Sequence, residues 1–192
     1  MASTPSRAER RAALRVSRCA LLAALALAIA ALESMLPIPA PVPGMKLGLS
    51  NIVTILAAFW LGPVEAVIVF LVRVVLAAAL TGQLAALPFS LAGGALALAV
   101  TLAFARLAPP AYIRLCSMAA AVAHNAGQIG VAVLLTATPE IALYLPILMV
   151  AGLATGFVTG TVADAVFARL PMGVTKGRRD EGTGILSRSP KR

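Results

Sequence analysis

From Cys19 to Arg169 the chain is almost continuous hydrocarbon, broken only by short groups of proline, glycine and charged residues. A bilayer core about 30 Å thick takes roughly 20 apolar residues per helix. The breaks divide the sequence into six runs near that length: 19–36, 47–61, 64–80, 88–105, 115–136 and 142–169. Pro37, Pro39, Pro41 and Pro43 stop any helix between the first two runs, because each ring fixes φ and removes a backbone donor. Gly62-Pro63, Thr81-Gly82-Gln83, Pro109-Pro110 and Thr138-Pro139-Glu140 mark the later turns. The chain is 60% hydrophobic and 12% charged, against the roughly 25% charged residues of a soluble domain. The expected fold is all-α: a polytopic membrane protein of six transmembrane helices in a compact bundle.

Charge orients the bundle. The net charge of +9 would suit a nucleic-acid partner if it were spread over a surface, but it collects at the termini, as at an anionic membrane face. Of the Lys and Arg residues, five precede or open the first run, two lie in 106–114 and seven follow from Arg169. Lys46 alone lies on the opposite side, and Arg73 lies inside a run. The positive-inside bias therefore places both termini in the cytoplasm and the proline-rich loop outside the cell inner membrane. Residues 1–18 read as a basic tail, 19–170 as the membrane domain and 171–192 as a second, disordered basic tail. The first run is longer than a signal-peptide core and lacks a small-x-small cleavage pattern before Pro37, so a retained span is expected. Cys19 and Cys116 form no ligand or redox spacing, and no metal site or cofactor is indicated.

Polar groups inside such runs mark functional candidates, since hydrocarbon solvates them poorly. Arg73 sits about ten residues into the third run, where insertion costs about 2.5–3.5 kcal/mol, and needs a carboxylate, carbonyl or bound anion. Glu65 lies about 12 Å along the same helix, too far for an easy pair. His124, Asn125 and Gln128 share one helix face through i,i+3 and i,i+4 spacing. That face either lines a cavity or joins helices by hydrogen bonds, with Gly127 and Gly130 allowing close approach. Asn51, with Ser50 and Thr54, follows the proline loop and either caps the second helix or points into a cavity below. Glu33 is expected to reach water at the outer end of the first run. Asp164 is expected to pair with a basic residue of the inner face. Gly152, Gly156 and Gly160 form a small-residue face for helix packing, and Ala20, Ala24 and Ala28 form a similar one.

Chemistry is constrained by what is missing. The sequence has no Walker-type loop for ATP. Its seven carboxylates are scattered, without the paired acidic motif that would hold Mg²⁺ against a diphosphate. No catalytic residues are assigned, and autonomous prenyl transfer is not expected.

The segments PGMKLGLSNIVTI (43–55), LGP (61–63), Arg73-Val74, Ser90-Leu-Ala-Gly-Gly94 and His124-Asn-Ala-Gly-Gln128 resemble the Gx transporter family, also labelled heptaprenyl diphosphate synthase component I. The transporter label implies likeness to S components of energy-coupling factor transporters. These are six-helix binding proteins whose pocket lies under the loop after the first helix. On that resemblance Asn51, Arg73, His124, Asn125 and Gln128 are ligand-binding candidates, and Pro43, Gly44 and Lys46 form the lid. Ala20, Ala24 and Ala28 would dock a transmembrane coupling subunit with ATPases. The synthase label implies a non-catalytic partner of a prenyl synthase in isoprenoid or quinone biosynthesis. A third implied role is a membrane component of a flavin-linked extracellular electron-transfer system, with a flavoprotein partner.

Overall fold

The computed structural model describes residues 6–35 and 48–170; the expected lid residues Pro43, Gly44 and Lys46 and both chain ends lie outside the described residues. Each helix begins and ends where local chemistry dictates. Ser6 and Glu9 form a reciprocal capping box that starts α1 (Arg7–Ser34). The helix therefore takes in the basic segment ahead of Cys19 instead of beginning at the first apolar residue. Gly62 turns the chain between α2 (Asn51–Trp60) and α3 (Pro63–Thr81), and Pro63 supplies a preset φ at the first helical position. Prolines in the first turns likewise open α4 (Leu87–Leu107) and α6 (Leu145–Phe167), while Pro110 opens the short 3₁₀ turn leading into α5 (Ile113–Thr136). No strand occurs among the described residues.

Five helical segments are long and apolar enough to cross a membrane; α2 is the exception. At ten residues it is about 15 Å long. Its placement explains its length. Every residue from Val53 to Leu61 is buried, and α2 packs against each of the other five helices. A helix that is apolar all round is buried in protein or in lipid; α2 is enclosed by protein, so it need not match the thickness of lipid.

The surrounding helices turn apolar stripes outward. On α3, Ala66, Val69, Phe70, Arg73, Val74, Ala77 and Ala78 face the core, while Val64, Ile68, Leu71, Val75 and Leu80 are exposed. The same 3.6-residue period that buries the alanines thus carries Arg73 inward. On α6 the exposed residues include Ile147, Val150, Phe157, Val158 and Val162. A belt of this kind is the outer surface of a membrane bundle.

Contacts between helices fix their relative direction. Arg15 of α1 pairs with Glu65 of α3 at 2.6 Å, and Arg18 lies 5.0 Å from the Trp60 ring at the end of α2. Phe59 and Phe167 meet edge to face with centroids 6.3 Å apart, bringing the end of α6 to the same level. Arg114 and Asp164 pair there at 2.8 Å, which gives Asp164 the basic partner expected from the sequence. Glu33 and Gly48 meet at the other end of α1 and the start of α2. Thus α1 and α3 run parallel and pack on each other, α2 runs antiparallel to both, and the paired arginines Arg15 and Arg114 lie at one end.

Close packing along α5 depends on missing side chains. A Cβ on Gly156 of α6 would stand 2.7 Å from Met118 Cα, and one on Gly160 would stand 2.9 Å from Arg114 Cα. A Cβ on Gly152 would meet Asn125 Nδ2 at 2.7 Å. The face formed by Gly152, Gly156 and Gly160 is therefore an α5–α6 seam within one chain. Gly127 similarly abuts the Ala92 carbonyl and Gly93 Cα of α4, but Gly130 meets nothing within 4 Å. The expected close approach at Gly130 is absent because that position has rotated to the exposed side of α5. Gly156→Ala should destabilise the bundle by about 1–3 kcal/mol through overpacking. Gly130→Ala should be neutral or gain up to about 1 kcal/mol of helix propensity. Melting of both variants in mild detergent checks this, and equal melting temperatures would remove the seam's special role.

Candidate functional site

Three chain segments converge at the end of the bundle away from the basic residues: the last turn of α1, the turn Gly48–Ser50 and the middle of α3. Glu33 is 3% exposed, not solvated as its position near a helix end suggested. Its Oε1 accepts a hydrogen bond from the Gly48 amide at 2.5 Å. The physical reason is that the chain re-enters the bundle beside α1, so the Gly48–Ser50 turn covers the carboxylate. Gly48 has φ +79°, and a Cβ there would approach Asn51 Nδ2 and His124 Cδ2 to 2.8 and 2.9 Å. Only glycine accepts both the left-handed backbone and the close approach.

Arg73 is also 3% exposed. Its Nη1 donates to Ser50 Oγ, and its guanidinium carbon lies 5.7 Å from the centroid of the Phe70 ring. Ser50 occupies the position before the first helical residue of α2 but makes no side-chain cap. Its hydroxyl serves Arg73 instead. The Arg73 Nε has no hydrogen-bond partner among the described residues, and neither do Asn51 Nδ2 and Thr54 Oγ1. Such buried donors are costly when left unmet. Glu65, eight residues back, is committed to Arg15.

Arg73 and Ser50 border a cavity of about 30 Å³ lined also by Glu33, Gly48, Ser90 and His124, together with Val74, Gln83 and alanines. That is room for about two water molecules. A second cavity of about 10 Å³ lies on the other side of Gly48, where Asn51 faces Ser117, Thr155 and Thr159.

The five candidate residues thus separate into distinct places. Arg73 and His124 line the larger cavity, and Asn51 lines the smaller. Gln128 hydrogen-bonds the His124 ring through Nε2 and lies behind it. Asn125 turns towards α6, donating to the Leu148 carbonyl at 2.6 Å. Close contact of Gly93 with the His124 carbonyl and the Gln128 side chain brings the Ser90–Gly94 segment against this face. Ala20, Ala24 and Ala28 are exposed along α1, with Leu21 and Leu25 beside them. Glu33 and Ser90 also line the larger cavity, although the sequence does not mark them as ligand-binding candidates, and Ser50, noted beside Asn51, lines it too. The legible signal for Glu33 was a carboxylate in the last turn of an apolar helix, just before the chain must double back.

An all-helical bundle with an apolar outer belt and charged groups buried around an internal cavity defines a polytopic membrane protein. Residues 22–166 match the family described as heptaprenyl diphosphate synthase component I, and the chain belongs to that family, as its motifs suggested. No curated protein and no solved structure matches the chain.

Gly48→Ala should lower stability by about 1–2 kcal/mol for the left-handed backbone, with a further loss from the clash against Asn51 and His124. Gly82→Ala, at φ +67° in open space, should cost only the backbone part. Melting temperatures of the two variants measure the difference, and equal losses would show that the cavity wall at Gly48 is loose.

Proposed function

We propose that this chain is a substrate-capturing membrane protein, similar in role to the S component of an energy-coupling factor transporter. It binds a small, partly apolar molecule from the outer side and passes it inward with a separate ATPase module. One observation carries the reading: Arg73 is buried beside a cavity that the Gly48–Ser50 turn also lines, and its Nε has no hydrogen-bond partner among the described residues. A purely structural arginine would be expected to have its donors met by protein groups. A ligand carboxylate or phosphate would complete them, because a guanidinium matches both groups by geometry and charge. His124 and Ser90 add hydrogen-bonding capacity, and the alanine-lined walls suit an apolar body. At about 30 Å³ the cavity is smaller than the 300–1,000 Å³ typical of organic-ligand pockets. Entry of a whole ligand therefore requires the walls to part. The absence of an ATP-binding motif in the sequence leaves energy to a partner, for which the exposed Ala20, Ala24 and Ala28 face offers a close-packing surface.

A second reading has its own support. The family's description names a component of heptaprenyl diphosphate synthase, which would make the chain the membrane subunit of a two-part prenyl synthase. Its scattered carboxylates suit a non-catalytic role there. A polyprenyl diphosphate is also an anion with an apolar tail, so the two readings differ in partner and process more than in ligand chemistry.

Mass spectrometry of small molecules retained by the detergent-purified chain separates them. A stoichiometric ligand should be present in the wild type and reduced at least about tenfold in Arg73→Ala, the effect of losing one charge-assisted contact. Unchanged retention would sink the role assigned to Arg73. Stimulated prenyl transfer on mixing with an aspartate-rich soluble synthase, with no retained ligand, would favour the subunit reading.

A further inference from the structure

The larger cavity has two charged walls, not one. Glu33 from α1 and Arg73 from α3 each retain 3% exposure and line the same space. They carry opposite charges, yet they do not form an ion pair. The ion pairs among the described residues are Arg15–Glu65 and Arg114–Asp164, both at the opposite end of the bundle. Glu33 is held by the Gly48 amide and Arg73 by the Ser50 hydroxyl, so the turn at residues 48–50 holds each charge at the cavity by its own contact. Arg73 Nε, which has no hydrogen-bond partner among the described residues, is a buried donor of a residue that lines this space.

An isolated anion entering here would gain Arg73 but approach Glu33 against like charge. An isolated cation would meet the reverse problem. In a poorly polarisable interior such repulsions are far stronger than in water. A head group carrying both signs satisfies each wall and leaves the buried region neutral, the arrangement that hydrocarbon surroundings penalise least.

From this geometry we infer that the site selects a dipolar, net-neutral head group: a carboxylate or phosphate seated on Arg73 and a protonated amine or cationic nitrogen seated on Glu33. The inference rests on the binding-protein reading and names its substrate class. Glu33 is then a specificity-determining residue, and Gly48 and Ser50 are positioning residues that keep the two poles apart.

The full-length chain in lipid nanodiscs can be melted in the presence of three size-matched probes: 3-aminopropanoate, propanoate and propylammonium. Wild type should be protected by the zwitterion at a concentration about tenfold or more below that needed for either singly charged probe. Glu33→Gln keeps an acceptor for the Gly48 amide while removing the charge, and should shift the preference to propanoate. Arg73→Gln should shift it to propylammonium. The wild-type ranking needs no variant, so it decides the matter even if a substitution fails to fold. Preference for propanoate in the wild type, unchanged in Glu33→Gln, would overturn the dipolar site and leave an anion-binding protein standing. If no probe protects, a retained native molecule bearing only one sign of charge would likewise overturn it. No probe effect together with no retained molecule would overturn the binding-protein reading as well.

Discussion

A guanidinium enclosed by helices in a hydrocarbon setting has to be met by something, and in this protein that requirement reaches into four segments. Arg73 faces inward because it shares the helical period of Ala66, Phe70 and Ala77. Once there it takes the Ser50 hydroxyl that would otherwise be free to cap α2, and it lies near the Phe70 ring. Glu33 is drawn under the returning chain, where Gly48 donates to it. The φ of Gly48 and its closeness to His124 follow from the same crowding. Insertion of an arginine this deep costs about 2.5–3.5 kcal/mol. Its surroundings are accordingly polar on one side and alanine-lined on the other.

The short central helix makes this arrangement possible. With α2 enclosed by the other five helices, its first residues lie within the bundle, beside Glu33, Arg73 and His124. A second helix long enough to face lipid along its full length would not place Ser50 and Asn51 there. The glycine seams of α5 with α4 and α6 do similar work at close range, drawing the backbones together where any side chain would separate them. Polar side chains on α5 then divide by direction: His124 and Gln128 towards α4 and the cavity, Asn125 towards α6.

The two ends of the bundle differ in chemistry. At one end arginines pair with Glu65 and Asp164 in partly exposed ion pairs, which contribute little to stability individually but suit an anionic lipid surface. At the other end the charges are buried, separated and bordered by a cavity. Such a division suits a protein that handles a ligand at one face and is anchored or coupled at the other.

Hydrophobic runs and their proline and glycine breaks were enough to read an all-helical membrane bundle, because the thickness of lipid and the needs of the backbone admit few alternatives. Arg73 and the His124–Gln128 face were legible as candidates for the same reason: hydrocarbon makes every buried polar group conspicuous. The pairing of those groups was not legible. Glu33 looked like a residue at a wet helix end, and only the tertiary contact with Gly48 shows it buried. Gly127 and Gly130 look alike in the sequence, but rotation about α5 presses one against α4 and exposes the other. Asn51, Asn125 and His124 are equivalent as polar residues in apolar runs, yet they face different neighbours. Sequence alone determined which residues lipid would not tolerate on the outside; tertiary structure decided which of them meet, because contacts between helices depend on rotation and crossing that no single apolar run encodes.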